Sequence, residues 1–177
     1  MKTGILSTAL LLLSTQAAAD CNEILQERLS QDLDLSYKEF DQTSNAGFRL
    51  LVNSACYAEA ATLIKKYIDH NHSKENSLFW HLAQMYGFSG DYKQAVYYAK
   101  QVLNESEDLA ESPMYWNDFV LGNIAFWNRD KSKLKQHIEN VEKGLSFKPN
   151  EMNARYLQRL LANFETSYAK ALLECQP

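Results

Sequence analysis

Apolar residues recur along this chain at helical spacing. Ala61, Ile64, Tyr67 and Ile68 form one stripe, and Val96, Ala99, Val102 and Leu103 form another; positions three and four apart share one face of a helix. Each stripe opens on a short recurring pattern. Tyr57-Ala58-Glu59-Ala60, Tyr92-Lys93-Gln94-Ala95 and Tyr168-Ala169-Lys170-Ala171 carry it, and Lys131-Ser132-Lys133-Leu134 is a degenerate copy. The last positions of the four copies are 35, 39 and 37 residues apart in chain order. Upstream of each copy stands another apolar-periodic segment of about three helical turns. The unit is therefore helix, short turn, helix, at a period proper to stacked helical arrays. Strand signals are nearly absent and only 6 Gly and 3 Pro occur. The expected fold is all-α.

The segment 76–109 shows the pattern most clearly and resembles a tetratricopeptide repeat. Phe79, Leu82, Ala83 and Tyr86 fall at the signature places of its first helix, and Ala95, Ala99 and Val102 at those of its second. Between them Gly90 supplies backbone freedom to end one helix and Asp91 caps the next. Ala83 and Ala95 are small where two helices of a hairpin would cross. The unit at 114–146 keeps Leu121 and Gly122, turns at Asn128-Arg129-Asp130, and is followed by Pro149. Units at 42–71 and 150–174 match more weakly, the first through Gly47 with an abbreviated turn and the last through Tyr168 and Ala171. The resemblance implies a TPR-like α-solenoid of four helical hairpins over 42–177. An extra N-terminal helix, with Ile24, Leu25 and Leu29 on one face, and a linker fill 20–41. Phe40-Asp41-Gln42, Phe48-Arg49-Leu50, Cys56-Tyr57, Asn117, Ile124-Ala125-Phe126 and Cys175 also carry a looser likeness to small exported bacterial proteins of unassigned function.

The N-terminus bears on the compartment. Lys2, the apolar run Ile5 to Leu13 and Ala17-Ala18-Ala19 make the three-part pattern of a secretory signal peptide over 1–19, with cleavage expected after Ala19. The run is short of the roughly 20 residues of a membrane-spanning helix. Asp20 and Ala18 depart from what lipid attachment at Cys21 wants. The expected destination is the periplasm, with secretion as the alternative, and no stable membrane insertion.

The net charge of −4 comes from interspersed charges, which gives no footprint for nucleic acid. Three cysteines, Cys21, Cys56 and Cys175, include no C-x-x-C pair. An odd count permits one internal bridge; Cys21–Cys56 is the first choice and Cys21–Cys175 the alternative. His70 and His72, beside Asp69, offer metal-ligating atoms but sit where a helix should end, a favourable place for histidine in its own right. No metal or cofactor is expected. Sequence signatures of hydrolases, zinc proteases and phosphate-binding loops are missing, so the expectation is a non-enzyme.

An array of such hairpins lines its concave face with first helices. Counting along them puts Gln42, Asn45, Arg49 and Asn53 on that face in the first unit, and Trp80, Gln84 and Phe88 in the second. Trp116, Phe119, Asn123 and Trp127 follow in the third. Aromatics with a polar handle, amides and arginine make anchors for a protein or peptide partner; the same aromatics can instead pack between units. The expected function is partner binding through this groove. The alternatives are an inhibitor or immunity protein, for which the acidic Glu105–Glu111 loop would matter, and a cell-envelope assembly factor.

Overall fold

Side-chain caps from Ser36, Asp91 and Asp130 fix three of the helix starts. The structure, a computed structural model, describes residues 20–174; the expected signal peptide and Cys175 lie outside the described residues. All regular structure among the described residues is helical. The chain divides into two compact units, one reaching Lys74 and the other beginning at Glu75. The boundary expected at 41/42 falls inside the first of them.

In the first unit, α1 covers residues 20–31, α2 is Tyr37–Gln42, α3 is Arg49–Asn53 and α4 is Tyr57–Asn71. The expected linker therefore contains a helix of its own. Ser36 opens it with a reciprocal capping box: its side chain accepts from the Glu39 backbone N–H while the Glu39 carboxylate accepts from the Ser36 N–H. The expected first helix of the 42–71 unit is broken instead of continuous, with non-helical backbone at 43–48. Gly47 sits there at φ +55°, and a Cβ on it would lie 2.1 Å from the Phe40 carbonyl oxygen. Only glycine allows this return of the chain onto α2. The core is Leu25, Phe40, Phe48, Leu51, Ala60, Ala61, Leu63, Ile64 and Tyr67. Phe40 stacks on Tyr67 with centroids 3.7 Å apart. The Tyr67 hydroxyl donates to the Leu35 carbonyl at 2.8 Å, which ties the α1–α2 connection to α4. The disulfide Cys21–Cys56 fastens α1 to the start of α4, the pairing placed first from sequence.

The second unit is three successive hairpins: α5 Asn76–Ser89 with α6 Tyr92–Lys100, α7 Trp116–Trp127 with α8 Lys131–Glu142, and α9 Lys148–Ala162 with α10 at 168–174, whose stretch Lys170–Glu174 is wound as a π-helix. Gly90 ends α5 at φ +88°, and Asp91 caps α6 by accepting from the Gln94 N–H at 3.1 Å. Asp130 repeats that cap on Lys133 for α8 at 3.0 Å, after Arg129 has taken the left-handed turn at φ 59°. Pro149 stands in the first turn of α9, where its missing N–H costs nothing. Ala83 and Ala95 have no exposed surface. Gly122 brings α7 against α9, since a Cβ there would lie 2.7 Å from Leu157. No helix among the described residues is long and apolar enough to cross a membrane.

Candidate functional site

In the second unit the first helices do bring their aromatics together. Trp80 on α5 meets Trp116 at 5.5 Å, Phe119 at 5.4 Å and Trp127 at 6.4 Å, the last three on α7. The cluster is interior. Trp80, Phe119, Asn123 and Trp127 are buried, while Gln84, Phe88 and Trp116 are half-buried. Of the two roles open to these aromatics, packing between successive hairpins of the second unit is the one they fill here. Tyr168 explains why. It enters from α10 with no exposed surface and covers Trp127 at 5.2 Å, Phe88 at 5.0 Å and Phe126 at 5.8 Å.

A directional hydrogen-bond relay fixes this insertion. Gln84 Nε2 donates to the Tyr156 hydroxyl at 3.4 Å, and Tyr156 and Tyr168 hydroxyls lie 2.7 Å apart. Tyr168 donates to Asn123 Oδ1 at 2.7 Å, so the Tyr156 proton points to Tyr168; Asn123 Nδ2 closes the chain on the Phe119 carbonyl at 2.9 Å. The Tyr168 backbone N–H bonds the Tyr92 hydroxyl at 2.9 Å. Burial pushes the Tyr156 hydroxyl up to about 12 and that of Tyr168 well above its ordinary range. Tyr156 as a residue is half-buried, with its hydroxyl bonded to Gln84 and Tyr168. Asn123, expected to face a partner, instead satisfies an interior tyrosine. Tyr156 was missed from sequence; Tyr168 was seen only as a repeat mark. Their shared signal is two tyrosines, twelve apart, on successive helices of the last hairpin.

The first-unit residues fare differently. Arg49, Asn53 and Gln42 remain at the surface and, with Asp41 and Ser44, line a depression of about 300 Å³. Arg49 is held from two sides: its Nε donates to the Asp41 carbonyl at 3.2 Å, and its guanidinium lies 4.5 Å over the Phe48 ring. Among the described residues its two terminal nitrogens have no bonded acceptor. Gln42 Nε2 bonds Asp41 Oδ2, and Asn53 Nδ2 reaches the Ser44 carbonyl at 3.5 Å. A guanidinium fixed through Nε presents a planar two-nitrogen fork, the shape that matches a carboxylate.

A second depression, of about 400 Å³, belongs to the acidic loop, with Glu105, Glu107 and Asp108 on its rim and Trp116 and Val102 on its wall. The loop is ordered from within. Asn117 accepts from the Asn104 N–H and donates to the Asn104 carbonyl, both at 2.8 Å, and Glu107 accepts from the Asn117 N–H at 2.8 Å. Trp116 Nε1 donates to the Val102 carbonyl at 2.8 Å.

Two histidines elsewhere pair with carboxylates, His137 with Asp118 and His70 with Asp34. His137 Nδ1 lies 2.7 Å from Asp118 Oδ1, which also accepts from Asn140 at 2.9 Å, joining α7 to α8. Among the described residues no serine, threonine or cysteine is bonded to His137. His70 pairs with Asp34 at 2.9 Å and Asp69 with Lys65 at 3.1 Å, so the 69–72 segment does not converge on an ion.

No protein-family model matches the chain, and comparison with curated proteins and with solved structures gives no match.

Proposed function

We propose that this protein is an exported, TPR-like helical repeat that holds a protein or peptide partner and does no catalysis of its own. The observation that carries the reading is the Arg49 depression. A guanidinium oriented by Phe48 and the Asp41 carbonyl, flanked by the amides of Gln42 and Asn53, suits a carboxylate on an extended segment, whose backbone the amides can bond. The successive hairpins at 76–100 and 116–142, with buried alanines at 83 and 95, support the repeat reading. Export to the periplasm rests on the 1–19 pattern. It is supported by the Cys21–Cys56 disulfide, which an oxidising compartment maintains.

The partner surface is thereby moved. Trp80, Phe119, Asn123 and Trp127 serve as the packed interior of the second unit; Arg49 and Asn53 carry recognition. The test is a photo-crosslinking residue at position 42 in cells, with and without Arg49→Ala. A discrete adduct lost in the variant supports the reading, and adducts indifferent to Arg49 sink it.

A second reading, an inhibitor of a basic envelope enzyme, is favoured by the carboxylate rim around Trp116. It predicts adducts from position 105 and none from position 42.

A further inference from the structure

The side chains around the Arg49 depression present a donor fork flanked by two acceptors. Arg49 spends its Nε on the Asp41 carbonyl and keeps both terminal nitrogens unbonded among the described residues. Both Gln42 Nε2 protons are spent, on the Tyr37 hydroxyl at 3.1 Å and on the Asp41 carboxylate, so its Oε1 is the atom left to bond. Asn53 Nδ2 donates to the Ser44 carbonyl at 3.5 Å, and its Oδ1 likewise accepts nothing among the described residues. Arg49 and Asn53 are the first and last residues of α3, a spacing that puts them on one face. Arg49 is half-buried, while Gln42, Ser44 and Asn53 are exposed.

We propose that this depression takes the free carboxyl terminus of a peptide or protein, ending in a small residue, and not a carboxylate inside a chain. The inference rests on the partner-binding reading of the same site. A chain end carries its α-carboxylate and its own peptide N–H on the same carbon. The carboxylate accepts from the Arg49 fork, and the N–H donates to Asn53 Oδ1 or Gln42 Oε1 beside it. An aspartate or glutamate side chain puts methylenes between its carboxylate and the nearest backbone N–H, so it meets the fork without bringing that donor to the flanking oxygens.

Size and lining favour the same ligand. The depression holds about 300 Å³, the small end of the range for bound ligands. A segment running through it would need room on both sides of its carboxylate, at about 3.3 Å per residue; a chain that stops there needs room on one side. Asp41, Gln42, Ser44, Arg49 and Asn53, which line it, are all polar, so a bulky apolar last residue would find no apolar wall to cover it.

The experiment is a heteronuclear NMR titration of the disulfide-bonded protein with three probes: acetyl-Gly-Ala-Ala as the free acid, the same peptide as its C-terminal amide, and acetyl-Gly-Asp-Gly amide. The free acid is expected to move the Arg49 Nε–H and the Asn53 side-chain amide signals saturably. The other two probes should bind about 10- to 100-fold more weakly, the loss that follows when a charge-assisted hydrogen bond is removed. Arg49→Lys, which keeps the charge and loses the fork, and Asn53→Ala, at an exposed position, should each weaken the free acid. No saturable shift with the free acid, equal binding of its amide, or an affinity unchanged by either substitution overturns the proposal. If the internal aspartate probe binds as tightly as the free acid while the adduct from position 42 still depends on Arg49, the chain-end inference falls and the partner-binding reading stands. If neither peptide binding nor the adduct depends on Arg49, both fall.

Discussion

The indole of Trp127 lies against Gly87 so closely that a Cβ on that glycine would stand 2.8 Å from ring atoms Cζ2 and Nε1. The residue that ends the first helix of one hairpin is thus received by a gap in the first helix of the preceding one. Gly87→Ala is expected to destabilise the second unit by up to about 2 kcal/mol. The helix-propensity gain of about 1 kcal/mol is outweighed by an overpacking cost of about 1–3 kcal/mol, because Trp80 and Tyr168 block the ring's retreat. Gly90→Ala is the contrasting case. Nothing lies within 4 Å of its Cβ position, so only the backbone strain at φ +88° is charged, about 1 kcal/mol. Urea unfolding of both variants checks the pair.

Tyr168→Phe leaves Asn123 Oδ1 without its donor and the Tyr156 proton without its acceptor. The expected loss is about 1–3 kcal/mol, the cost of stranding a buried polar group. Tyr168→Phe combined with Asn123→Leu should cost less than the sum of the two single changes, since each strands what the other removes. Chemical denaturation of the double-mutant cycle measures the coupling.

The same tyrosines set an alkaline limit. A tyrosine is neutral when protonated, and the folded state holds the Tyr156 proton up to about 12, whereas the unfolded chain releases it near 10. Between those values the folded state binds more protons, so stability falls as pH rises. The contribution is intact below about pH 10 and lost through about pH 12, worth about 2–3 kcal/mol for Tyr156. Denaturant midpoints across that range should decline in wild type and decline less in Tyr156→Phe/Tyr168→Phe.

The helices of the second unit were legible from sequence because Gly90, Asp91 and Asp130 act locally: each ends or caps a helix with atoms of its own neighbourhood. The break at 43–48 was not, because Gly47 is fixed by a contact with Phe40 seven residues away. The convergence of Trp80, Trp116 and Trp127 followed from counting helix faces; the burial of Trp80 and Trp127 did not. Helical periodicity says which residues share a face, but not that the last hairpin will send Tyr168 into it. Arg49 and Asn53 lie at the surface, but the continuous first helix along which they were counted is broken at 43–48. The Cys21–Cys56 bridge, across 35 residues, was the pairing placed first from sequence.

Reducing the disulfide should destabilise the first unit. The bridge spans 35 residues, for which loop closure in the unfolded chain accounts for about 3–4 kcal/mol. Thermal melts with and without reductant should differ accordingly, and Cys21→Ser/Cys56→Ser should match the reduced curve.

The most direct test of the partner-binding account is the in-cell crosslink from position 42. A single adduct of defined mass, formed from Gln42's place at the rim of the Arg49 depression and abolished by a folded Arg49→Ala variant, is what the account predicts. Adducts that persist unchanged without the guanidinium, or that form from position 105 and never from position 42, would contradict it.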